Sequence, residues 1–135
     1  MTYKAEILDK IDIINQVLLR LNKPGIFENS DFSIDEMSVE FYLKLNFVKK
    51  ESVRFNIKIS LSDIQIGIDR IDEAFTWPNN ALEYDKKEID NLIEQLLIST
   101  IKVEYCGSNY TKLYLLNSGL MDKKNGEIFC NALLH

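Results

Sequence analysis

The alternation of apolar and polar residues between Val53 and Ile68 changes phase midway, and that slip limits the folds open to this chain. Val53, Phe55, Ile57, Ile59 and Leu61 occupy odd positions, interleaved with Arg54, Asn56, Lys58 and Ser60. A period of two marks a strand with one buried face. From Ile64 the apolar set moves to even positions, Ile64, Ile66 and Ile68. A slip of one residue turns every side chain to the other face, so one flat strand cannot contain both halves. The chain either turns near Ser62-Asp63 and begins a separate strand, the favoured reading, or bends there at a bulge.

Elements on either side complete the pattern. Ile7, Ile11, Ile14, Leu18 and Leu21 recur at helical spacing, with Leu8 and Leu19 expected to widen the stripe. Asn22-Lys23-Pro24-Gly25 should end this helix, since proline cannot continue the ladder and glycine suits the exit turn. A polar connector through Asn29-Ser30-Asp31 follows. Phe41, Leu43, Leu45 and Phe47 then alternate as a half-buried strand, joined by Lys49-Lys50-Glu51-Ser52 to the next. Thr76-Trp77-Pro78-Asn79-Asn80 reads as turn chemistry carrying the single tryptophan.

A second helix is expected to start at Asp85, which with Glu88 matches a D-x-x-E capping box. Its stripe is Ile89, Leu92, Ile93, Leu96 and Leu97, and it should end near Ser99. Strands are expected at Ile101 to Tyr105, Tyr110 to Leu116 and Ile128 to Leu134. Gly107-Ser108-Asn109 and Asn125-Gly126 supply the turns between them. Short strand-to-strand links imply antiparallel pairing, because parallel strands need long crossovers. The expected class is α+β, a mainly antiparallel sheet with two amphipathic helices packed on it, in the order α-β-β-(β)-α-β-β-β. At 135 residues this is one domain, 1–135.

Chemistry is sparse. The only histidine is His135, the last residue, and chain ends fray. Cys106 and Cys130 form no CxxC pair, and neither has an evident activating base. They read as reduced thiols, with a bridge conceivable where their strands are neighbours. No phosphate loop, nucleophile elbow or zinc-binding helix occurs, so the expectation is a non-enzymatic protein without cofactor or metal. A net charge of −5 opposes binding to a phosphate backbone, and the lysine pairs are short. The N-terminus is too charged for a signal peptide, and no run spans a bilayer. A cytoplasmic location is expected.

The acidic residues Asp63, Asp69, Asp72 and Glu73 are candidate cation ligands, although Asp63 and Asp69 alternate with isoleucines as a solvent face would. A surface anchor is the sharper expectation. Trp77 with Tyr84 nearby, rimmed by Asp72, Glu73, Glu83 and Asp85, fits the aromatic and charged make-up of interface hot spots. The competing reading folds Trp77 back over the core. Tyr105, Tyr110 and Tyr114 form a further aromatic group, more simply explained as cross-strand packing.

In overall profile — one acidic α+β domain without cofactor motifs — the chain resembles the bacterial toxin-immunity proteins. That likeness extends loosely over the whole chain and rests on no motif. It implies inhibition by occlusion, with acidic side chains standing in for nucleic-acid phosphate at the basic cleft of a toxin domain such as a nuclease. The contact set expected on this basis is Asp69, Asp72, Glu73 and Trp77, with Glu83 at the rim. Two alternatives remain: a homodimeric secretion chaperone that binds an extended effector segment, and a small-ligand binder lined by the tyrosines.

Overall fold

The first helix, α1 (Ala5–Arg20), buries Ile7, Ile11, Ile14, Val17 and Leu18. The computed structural model describes residues 3–36, 43–49, 54–69, 71–98, 101–105, 111–115 and 127–132, with side chains for 3–36, 43–49, 54–69 and 75–98. Leu8 and Leu19 do not widen the buried stripe: they are 48% and 73% exposed. They lie eleven positions apart, which brings them to one line on the flank turned away from the core. Glycine does not make the exit turn either. Asn22 takes the left-handed conformation, at φ 57°, while Gly25 has φ −61°. The Lys23 N–H donates to the Leu18 carbonyl at 2.9 Å and that of Asn22 to Leu19 at 3.0 Å. This Schellman closure satisfies carbonyls that the helix end leaves open.

The connector after α1 is locked by Asn29, whose Oδ1 accepts the Asp31 N–H and whose Nδ2 donates to the Pro24 carbonyl. Five antiparallel strands follow as a meander: β1 (Phe32–Glu36), β2 (Leu43–Phe47), β3 (Phe55–Ile59), β4 (Asp63–Ile68) and β5 (Ile71–Pro78). The phase change near Ser62-Asp63 is thus a turn between separate strands. Five strands precede the second helix where two or three were expected, the additions being the edge strands β1 and β5.

Register explains why the alternation is so clean in the centre. Glu36, Leu43, Ile59, Ile64 and Trp77 form one rung across the sheet, and Ile34, Leu45, Ile57, Ile66 and Phe75 the next. Phe32, Phe47, Phe55, Ile68 and Ile71 form a third. The three phenylalanines of this last rung pack ring on ring, with Phe47 and Phe55 stacked at 4.6 Å and Phe32 edge-on to Phe47 at 5.3 Å. Leu43, Leu45, Ile57, Ile59, Ile64, Ile66 and Ile68 are fully buried, each contributing about 1.5–3 kcal/mol of transfer free energy.

Helix α2 (Lys86–Leu97) adds Ile89, Leu92, Ile93, Leu96 and Leu97 to the same core. Its expected capping box does not form. Asp85 has φ −100° and ψ 14° and makes no side-chain cap bond. An N-cap aspartate reaches the next turn from extended backbone, and Asp85 is instead held in a turn by its N–H on the Ala81 carbonyl. Asp90 of α2 meets Arg20 of α1 at 3.5 Å and Lys86 at 3.3 Å. Strands β6 (Ile101–Tyr105), β7 (Thr111–Leu115) and β8 (Glu127–Ala132) make a separate antiparallel sheet in that order. The α+β class is as expected; the strands form two sheets.

Candidate functional site

Of the residues expected to form one contact surface, Trp77 lies in the core, and Asp69 and Glu83 lie at opposite ends of β5. Trp77 is a core residue, 5% exposed, paired with Ile64 and stacked on Phe75 at 5.7 Å. It is no surface anchor. The Thr-Trp-Pro sequence that suggests a turn is the end of an edge strand, where proline is tolerated because no ladder bond is lost. Asp69 is exposed at the β4–β5 turn, with φ 51° and its N–H on the Arg54 carbonyl at 2.7 Å. Glu83 follows the opposite end of β5. Six residues of β4 separate the two ends, about 15–20 Å at about 3.3 Å per residue.

Asp72 and Glu73 lie where the register shifts, one residue of β4, Gly67, facing three of β5. Their side chains lie outside the described residues. Asp63 has a local role: its Oδ1 accepts the Ser60 hydroxyl at 2.8 Å, and Oδ2 accepts the Gln65 amide at 3.3 Å. Tyr84, expected beside the anchor, is 87% exposed.

A different site stands out, centred on a residue the sequence reading passed over. Lys10 is 1% exposed, which is unusual for a charged side chain. Its Nζ donates to the Ser60 carbonyl at 2.8 Å and the Leu61 carbonyl at 3.3 Å. The β3–β4 turn is built to receive it. In a two-residue hairpin loop the Asp63 N–H would ordinarily close the turn on the Ser60 carbonyl. Here that N–H goes to the Ser60 hydroxyl at 3.1 Å, as does the Ser62 N–H, and the Ser60 carbonyl takes the ammonium. Burial pushes the Lys10 pKa down, against the pull of Asp63, Glu6 and Asp9, which favour the charged form.

The sequence does hold a signal for this residue. Lys10 falls between Ile7, Ile11 and Ile14, on the line where helical spacing demands an apolar side chain. A charge at a core position is either paired or functional.

At Lys10 opens a cleft of about 400 Å³, lined with it by Glu6, Asp9, Asp12 and Ile13 of α1, by Asn79, Leu82 and Glu83 of the segment entering α2, and by Lys86, the first residue of α2. Glu6, Asp9, Asp12 and Glu83 are all exposed, with Lys86 the one exposed base in the lining. Ile13 and Leu82 add apolar surface to the lining. Such a cleft attracts a cation with an aliphatic stem. Among the described residues expected at a contact surface, Glu83 alone is part of it.

Cys130 lies on β8, β7 stands between β6 and β8, and Cys106 lies outside the described residues. Tyr105 pairs with Thr111, and Tyr114 with Lys102 and Glu127. The side chains of Tyr105 and Tyr114 lie outside the described residues. Tyr110 lies outside the described residues. Among the described residues no group of three or more histidine, cysteine, aspartate or glutamate side chains is arranged to hold a metal ion, and no helix is long and apolar enough to cross a membrane. No family model, curated protein or solved structure matches the chain.

Proposed function

We propose that the chain is a non-enzymatic protein-binding module whose cleft between α1 and the segment entering α2 receives a basic segment of a partner. The observation that carries this reading is the cleft lining: the exposed carboxylates of Glu6, Asp9, Asp12 and Glu83 together with apolar Ile13 and Leu82. Carboxylates placed this way steer a basic partner toward the cleft and pair with its lysine or arginine side chains on docking. The Lys10 amine is held by two carbonyls, which favours binding over chemistry at this site.

The finer reading is an immunity-type inhibitor that occludes the active site of a basic toxin domain, a nuclease being the chemistry that best suits acidic mimicry of phosphate. The contact set then moves from the Asp69 end of the sheet to the cleft, keeping Glu83. The test is capture of partners from cells at low and moderate salt, with the triple variant Glu6→Gln, Asp9→Asn, Glu83→Gln alongside. A single basic protein held near one-to-one by the wild type and lost by the variant is the expected result. Equal capture by both proteins removes the cleft from the interface.

A further inference from the structure

The β3–β4 turn lies between the two walls of the cleft, and three successive carbonyls of that turn are bound from opposite sides. Lys10, from the α1 wall, donates to Ser60 and Leu61. Asn79, from the other wall, donates through Nδ2 to Leu61 at 2.7 Å and through its N–H to Ser62 at 2.9 Å. The Leu61 carbonyl is shared between them. We propose that Lys10 is the positioning residue of the cleft: by holding this turn, and through it Asn79, it sets the spacing between Glu83 and the carboxylates of α1 and so the affinity for a cationic partner.

This inference rests on the reading of the cleft as a cation-binding groove and assigns Lys10 a role that charge alone would reverse. An ammonium beneath four carboxylates repels an incoming cation. If Lys10 acted through its charge, its removal would tighten binding. If it acts by holding the walls, removal weakens binding, because carboxylates at the wrong separation cannot pair with the same ligand together.

The experiment is calorimetric titration of a hexa-arginine peptide into the wild-type protein, Lys10→Met and Asn79→Ala, each first shown to be folded by thermal unfolding. Hydrogen exchange at the Asn79 N–H is followed in the absence of peptide. Lys10→Met is expected to bind about tenfold more weakly, the weight of one hydrogen bond, and to exchange the Asn79 N–H faster. Asn79→Ala leaves every charge in place, and a loss of similar size is expected. It carries the same decision should Lys10→Met fail to fold. Tighter binding by Lys10→Met, or unchanged binding by Asn79→Ala, overturns the positioning role while leaving the cleft reading intact. A wild type that ignores the peptide overturns the cleft reading; in that case unchanged exchange at Asn79 in Lys10→Met also overturns the coupling of the walls.

Discussion

Asn56 lies across Gly67 on the neighbouring strand, with its amide nitrogen 2.9 Å and its Oδ1 3.1 Å from the point where a Cβ on Gly67 would stand. That Oδ1 is shielded from solvent and has no hydrogen-bond partner among the described residues. The glycine therefore serves a close side-chain approach on the polar face of the sheet, not an unusual backbone conformation.

Gly67→Ala should cost about 1 kcal/mol in the native background, where the methyl group displaces the Asn56 amide. In an Asn56→Ala background the same change should stabilise by about 0.5–1 kcal/mol, since alanine restricts the unfolded chain more than glycine does. Urea unfolding of the four proteins measures this coupling. Equal effects in both backgrounds would show that the two residues do not interact.

Trp77→Ala should cost about 3–5 kcal/mol, as for other buried aromatic truncations. The residue is the sole tryptophan, so its fluorescence reports unfolding of the native protein directly. Emission already red-shifted to the exposed range in the folded state would contradict its place in the core.

The helix ends should respond unequally. Asp85→Ala removes no side-chain cap bond and is expected to change stability by under about 0.5 kcal/mol, against about 1 kcal/mol for a working N-cap. Asn22→Val places a branched side chain at φ 57° and should cost at least about 1–2 kcal/mol. Thermal unfolding of the two variants tests the contrast, and a larger loss at Asp85 would reverse it.

Stability should depend on pH through Lys10. Its folded pKa lies below the ordinary lysine value of 10.5 because burial outweighs the attraction of Asp63, Glu6 and Asp9. Between the lowered value and 10.5 the unfolded chain binds more protons than the native one, so stability rises with pH across that window. The stability of the wild type relative to Lys10→Met should accordingly increase as pH climbs toward 10.5. A flat or falling difference in urea titrations would mean that the ammonium is favoured by folding.

Charge reversal should separate the two ends of the sheet. Glu83→Lys is expected to weaken and slow binding of a basic partner and to reduce its salt dependence, because Glu83 lines the cleft. Asp69→Lys, at the far turn, should leave association unchanged. Stopped-flow association at two ionic strengths distinguishes them. A dominant effect at Asp69 would return the interface to the β4–β5 turn.

Local periodicity was enough to locate the helices and the three central strands, because their buried faces are long and repeat without interruption. Val53 to Ile68 carried even the turn at Ser62-Asp63, since a phase slip on a half-buried strand has few structural causes. The edge strands were harder. Phe32-Ser33-Ile34-Asp35-Glu36 has two apolar positions, and it becomes a strand through its pairing with β2. In β5 the shift opposite Gly67 breaks the alternation, and Pro78 imitates a turn.

The site was decided almost wholly by tertiary structure. Lys10 and Ser60 are fifty residues apart, and nothing local to either announces the other. A lysine standing in the apolar stripe of α1 is a one-dimensional trace of that contact, without indication of what the amine would meet. Glu6, Asp9 and Glu83 likewise join one cleft because two segments distant in sequence border the same hairpin. Sequence patterning determines which face of each element is buried, since burial follows from composition and period. Which polar groups meet at the ends of those elements depends on how the elements pack, and that is set by long-range register and by the demand that each buried donor and acceptor find a partner.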